Sequence, residues 1–339
     1  MAENPNGIVI KHILNGDFLA ASEVVAAHGL PGQTELIRTA EFLSVTSWLA
    51  ANSEAMAVRR EAQAVLQAVA GVSSRWVENA VPRPPVASQI PRSKVEFDRL
   101  MVQALGDRGY YHPIRLPTVD APIRPNRANV RSTSVAYHTA EWTLVRRLLE
   151  RACGGSLADK VVVDLGCADG FFSLSLAQAG ARVIAIDIAV TMILRTATFA
   201  ALNGLHRQVQ ARLGPTTELR AMVDRIGAET PDFAPIDTIC ALGLIYHFDD
   251  LTTNLTAMAE FRVPILFEFH AALEPEEDSF DPALHRNPQP VSAAWLTDWL
   301  RDRRFEVMRE PAWNGTAANL GSDGKAPRQE MLLALPLSR

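Results

Sequence analysis

The stretch VVVDLGCADGFF, Val161 to Phe172, admits few folds. Three consecutive valines favour extended chain. An acid follows, then a turn punctuated by Gly166 and Gly170, then the apolar start of a helix at Phe171. Strand, tight turn and helix in that order open a doubly wound α/β sheet, whose ligands sit beyond the carboxyl ends of the strands. A dinucleotide fingerprint would need glycine at positions 166, 168 and 171, which hold Gly166, Ala168 and Phe171. The turn therefore lacks the glycines that let backbone approach a pyrophosphate. What remains is D-x-G-x-A-x-G: Asp164, Gly166, Ala168 and Gly170.

The rest of the chain follows from about Gly154 as alternating strands and helices. VVVDL, ARVIAID, VQARL, VPILFEFH, FEVMREP and QEMLLALPL read as strands, and IDTICALGLIYHF contains another. Their apolar runs predict a mostly parallel sheet covered on both faces. The first part reads differently. Asp17 is placed to cap a helix that Gly29 stops, and Val58, Ala62, Val65, Leu66 and Val69 share one face of another. These faces need a partner, either the core or a second subunit in a homodimer. Proline-rich VPRPPVASQIPRSK cannot continue a helix. The expected organisation is a helical domain over 1–80, a linker over 81–95, a connecting or lid segment over 96–153 and the α/β domain over 154–339. YYHPIRLP, Tyr110 to Pro117, is either a lid or packing at a domain seam.

Among 339 residues, 33 Lys and Arg face 38 Asp and Glu, a net charge of -5. That balance argues against a nucleic-acid backbone as partner and for a small-molecule substrate. Cys153, Cys167 and Cys240 form no C-x-x-C pair, there is no signal-peptide pattern, and no apolar run reaches membrane-spanning length. A cytoplasmic protein with no membrane partner is expected.

The D-x-G-x-A-x-G turn resembles motif I of the class I S-adenosylmethionine (SAM) methyltransferases. The resemblance implies a Rossmann-like fold and SAM as cofactor. Small residues let the turn pass close to the ligand, and Asp164 fixes the turn or receives the cofactor's ammonium through water. Asp187, ending the second strand, is placed with Ile188 to meet the ribose, whose two hydroxyls a carboxylate accepts well. GLIYHFDD, Gly243 to Asp250, is similar to the G-V-L-Y-H signature of the branch that carboxymethylates the tRNA wobble uridine, and of small-molecule methyltransferases related to it. By that resemblance Leu242 lies against the cofactor, Thr217 within Thr216–Glu218 borders the adenine, and Tyr137 reaches the methionine end. Tyr246 matches the branch's tyrosine, while Arg108 and Arg328 fall near its carboxy-SAM lysine and arginine.

Methyl transfer needs an in-line nucleophile in a site that excludes water. Tyr246 and His247 follow the fourth strand, where Tyr246 would shape the sulfonium pocket and His247 would serve as base. Glu268 and His270 share one face of the fifth strand. With His247, Asp249 and Asp250 they can be drawn as a metal cluster, but the two aspartates sit where a helix cap is expected, and no metal is predicted. The leading expectation is methyl transfer to a small metabolite of secondary metabolism. Cyclisation of SAM to azetidine-2-carboxylate with release of methylthioadenosine, and carboxymethyl transfer from carboxy-SAM to tRNA, are the alternatives on the same fold.

Overall fold

The computed structural model describes residues 5–30, 33–105, 110, 112–119, 135–271, 290–310 and 328–338. The chain divides into two compact units.

The first unit comprises Met1–Pro125, Ala168–Leu174 and Ala189–Ala211. It contains α1 (Pro5–Leu14), α2 (Phe18–Ala27), α3 (Gln33–Asn52), α4 (Met56–Val72), α5 (Ser74–Glu78), α6 (Lys94–Leu105) and, later in the chain, α9 (Val190–Leu202). Asp17 caps α2 as its position predicts, accepting a hydrogen bond from the Ala20 N–H at 3.1 Å. The apolar face of α4 buries Val58, Ala62, Val65 and Val69, and α4 packs on α3 and α9. The partner that this face requires is therefore supplied by the chain itself. The stretch expected as a linker, 81–95, lies within this unit, where the Arg83 N–H donates to the Ser44 carbonyl and α6 begins at Lys94. Tyr110 is fully buried, its hydroxyl donating to the Val102 carbonyl at 2.7 Å and its ring edge-on to Phe199.

The second unit comprises Asn126–Cys167, Ser175–Ile188 and Arg212–Arg339. It begins with α7 (Val135–Ala152) and β1 (Val161–Leu165), and α8 (Phe171–Gln178) crosses into it. It continues through β2 (Arg182–Asp187), β4 (Thr238–Leu242), β5 (Ile265–Ala271), β6 (Phe305–Glu310) and β7 (Arg328–Pro336). With β3 (Val209–Leu213) these make a seven-stranded sheet in the order β3-β2-β1-β4-β5-β7-β6. This is the Rossmann-like, mostly parallel fold expected. β2, β1, β4 and β5 run parallel. β7 runs antiparallel to both its neighbours, β5 and β6.

Every residue of β1 and of β4 is buried, which is why these strands read as unbroken apolar runs. Their core is completed by α10 (Leu219–Glu229), α11 (Leu251–Ala259) and α12 (Ala293–Asp302). Trp299 is buried among those residues. The charged exception is Asp164, buried in β1 opposite Cys240 of β4. Burial first, then the Asp164 charge, pushes the Cys240 thiol well above its ordinary range. The strand order reverses between β1 and β4, and a crevice at the carboxyl ends is the usual consequence.

Within the first unit, Asp169 and Arg195 form an ion pair at 2.7 Å, with the Asp169 side chain fully buried. Arg195 also donates from Nε to the Leu105 carbonyl at 2.9 Å and lies over the Tyr110 ring. Removing one charge leaves the other buried without compensation. Asp169→Asn should therefore lower stability by about 3 kcal/mol in denaturant unfolding. A loss below about 0.5 kcal/mol, the range of surface substitutions, would contradict this account.

Candidate active site

The turn after β1 is held by two backbone bonds. The Gly166 and Cys167 N–H groups both donate to the Ile186 carbonyl, at 2.8 and 3.1 Å. The chain then passes through positive φ at Gly166 (68°), Ala168 (46°) and Gly170 (85°). Positive φ is uncommon for alanine, and the Ala168 carbonyl accepts from the Thr196 hydroxyl at 3.1 Å. Ala168 and Gly170 belong to the first unit, and the other candidate residues belong to the second.

In the second unit the turn leads straight to the candidate ribose ligand. Ile186 is followed by Asp187, half-buried at the end of β2, whose carbonyl accepts from the Gly214 N–H at 3.0 Å. Ile188 beyond it is 76% exposed. Thr217 is exposed on a short turn, Thr216–Glu218, that precedes α10. Leu242 is buried at the end of β4. Two residues further on, Leu244 lies where a side chain on Gly166 would fall, its Cδ1 2.8 Å from that point. The segments after β1 and β4 thus meet directly.

Tyr246 and His247 sit on the turn Ile245–His247, with ring centroids 4.3 Å apart. His247 is exposed and Tyr246 half-buried. The Tyr246 ring stacks on His270 of β5 at 4.4 Å and 3°. Tyr137, on α7, donates its hydroxyl to Gln329 Oε1 at 2.7 Å on β7. Asp250 caps α11, accepting from the Thr253 N–H at 3.0 Å. Among the described residues no group of three or more His, Cys, Asp and Glu is placed to hold a metal ion. Arg108 lies outside the described residues, and Arg328 opens β7 opposite Ala271.

Two groups of the site carry no local signal in the sequence. Glu141 and His138 are buried on α7, with His138 Nδ1 3.2 Å from Glu141 Oε2. Their spacing of three puts them on one face of a helix, but what covers that face is not legible locally. Burial first, then the Glu141 charge, raises the Glu268 carboxyl to about 8, against a lowering by the Gly243 amide. Burial, then Glu268 and Glu141, also pushes the Tyr246 phenol up. Burial and the neighbouring His247 hold His270 below its ordinary value.

A family model described as a methyltransferase domain matches residues 137–308. The chain belongs to that family. The match begins at Tyr137 and spans the site from α7 to β6. The chain is also similar to a ubiquinone biosynthesis O-methyltransferase of Bordetella parapertussis, 32% identical over 127 residues, covering 37% of this chain and 48% of that one. Similar, too, is a ribosomal protein L11 methyltransferase of Psychrobacter cryohalolentis, 29% identical over 137 residues, covering 36% of this chain and 44% of the other. The chain spans about half the length of these curated relatives. A solved structure similar to it is magnesium protoporphyrin IX methyltransferase of Synechocystis with bound SAM, 17% identical, with a TM-score of 0.43, covering 63% of this chain and 86% of that one.

The residues suit SAM. Gly166 leaves no side chain over the turn, a half-buried carboxylate ends β2, and the buried Glu268 Oε1 has no hydrogen-bond partner. The two glycines differ in what surrounds them. A Cβ on Gly170 would fall 2.8 Å from Thr196 Oγ1 and 3.1 Å from its Cα, whereas on Gly166 it would meet only the movable Leu244 side chain. Both substitutions strain a positive φ. Gly170→Ala should therefore cost more stability, about 3 kcal/mol against about 1 for Gly166→Ala, as thermal unfolding would measure. Equal losses would show that backbone strain alone decides.

Proposed function

We propose that this protein is a SAM-dependent methyltransferase acting on a small-molecule acceptor. The observation that carries the reading is the hook of Gly166 and Cys167 on the Ile186 carbonyl, which sets a glycine turn beside the acid-ended strand. Asp187 would accept the ribose hydroxyls, with Ile188 beside it and Thr217 toward the adenine. Asp164, Gly166, Ala168 and Gly170 would form the turn that borders the cofactor. Leu242 would pack against it and Tyr137 would face its methionine end. The cofactor supplies an electrophilic methyl on a sulfonium. Tyr246, whose phenol stays protonated at neutral pH, would present a neutral ring and oxygen to that cation. His247, exposed beside it, would take a proton from an acceptor entering from solvent.

Net acidity supports a small acceptor over nucleic acid. The curated relatives are named for ubiquinone biosynthesis and for ribosomal protein L11, so the acceptor follows from the site and not from the domain. All of these are called methyltransferases, which lends no support to cyclisation or to carboxymethyl transfer.

Asp187→Ala should weaken SAM binding by about 2–3 kcal/mol in calorimetry, through loss of charge-assisted hydrogen bonds. Methyl-labelled SAM incubated with fractionated cell extract should label the low-molecular-weight fraction. Unchanged SAM affinity in a folded variant contradicts the assignment of Asp187. Label confined to protein or RNA overturns the choice of acceptor.

A further inference from the structure

The described residues place one carboxyl of the second unit in an unusual position. Glu268 lies on β5 opposite Leu242, where β4 ends, and is 3% exposed. Its Oε1 has no hydrogen-bond partner. A side chain built on Gly243 would begin 3.6 Å from Glu268 Oε2 and 3.7 Å from the Tyr246 hydroxyl. Carboxyl and phenol thus border one small space that only a glycine at 243 leaves open. That space adjoins Leu244, which meets the turn after β1.

The groups on this face of the sheet are well defined. His270 is two residues along β5, stacked on Tyr246 with His247 beside it. From α7 come Glu141, His138 and Tyr137, the last bonded to Gln329 of β7. Met331 lies opposite Glu268 on β7, and one strand further Glu310 of β6 is ion-paired with Arg147 of α7. Among the described residues, the charge that acts on Glu268 is the Glu141 carboxylate, of the same sign. A buried carboxyl with an open oxygen and a like-charged neighbour has a strong need for a cation.

We propose that Glu268 is the counter-charge by which this site tells the cationic cofactor from its neutral product. This rests on the SAM reading above. The carboxyl holds a proton in the free protein, loses it when a sulfonium arrives, and regains one when the product, S-adenosylhomocysteine, is neutral at sulfur. Pairing with the cation does not itself speed transfer, because the charge is spent in the transition state. Its gain lies in holding SAM and releasing product, a step that limits many enzymes.

The pH dependence has a definite sign. The unliganded carboxyl is protonated below about 8, and an opposite charge nearby lowers such a value by about 1–3 units. Below the lowered value both states keep the proton, and affinity does not vary with pH. Between the two values SAM affinity rises toward tenfold per pH unit, and above about 8 it levels off. The product, without the sulfonium charge, lacks this rise.

The test titrates the full-length protein with SAM and with S-adenosylhomocysteine by calorimetry from about pH 6 to 9, in two buffers of different ionisation heat. We expect SAM near pH 7 to release about 0.4 to 0.9 of a proton more than the product does. The ratio of their affinities should rise about tenfold or more toward pH 8. Glu268→Gln should fold, bind both ligands and show neither effect. Glu141→Gln, which removes the like charge but keeps the carboxyl, should move the rise to lower pH. An affinity ratio that is flat with pH, or a rise that persists in Glu268→Gln, overturns the proposal while leaving SAM binding intact. Failure of the parent to bind either ligand overturns the cofactor reading and this inference together.

Discussion

The two backbone bonds from the turn after β1 to the Ile186 carbonyl are the constraint on which the site depends. They tie the end of β1 to the end of β2, so that main-chain bonds make a glycine turn and a strand-terminal acid neighbours. The tie consumes both N–H groups in main-chain bonds. Gly166 must then take a positive φ, and its missing side chain leaves the space into which Leu244 of the segment after β4 packs. One closure thus brings Gly166, Asp187 and Leu244 together within the second unit.

Much of this was legible before any coordinates. Continuous apolar strands implied a sheet buried on both faces, and β1 and β4 are buried at every position. Asp17 and Asp250 were readable as helix caps because capping is a local transaction between a side chain and an amide three residues on. The antiparallel insertion of β7 between β5 and β6 was not legible, since strand order is settled by long-range pairing. Nor was the compact packing of 81–95 and α9 with the N-terminal helices, because a proline-rich stretch ends a helix whether or not it separates domains.

The site was legible in part for the same reason. Asp164, Gly166 and Asp187 announce themselves by position in a motif. Glu268 was visible as an acid on the same strand face as His270, and as a member of a metal cluster that could be drawn but was not predicted. Its character comes from Glu141, which approaches from α7, and from burial that no spacing rule reports. Asp169 offered no hint at all that it would be neutralised by Arg195 from another helix. Residues whose chemistry is set by distant neighbours are the ones that sequence reasoning leaves blank.

Cys240 has a consequence of its own. It stands in the central strand, fully buried opposite Asp164, with its thiol pushed well above the ordinary range. The thiolate is the reactive form, so the folded sheet withholds this sulfur from alkylating reagents both by access and by ionisation. Only opening of the sheet releases it. The chain therefore carries a built-in clock for excursions of its own core, read by the rate at which a thiol reagent finds the middle of β4.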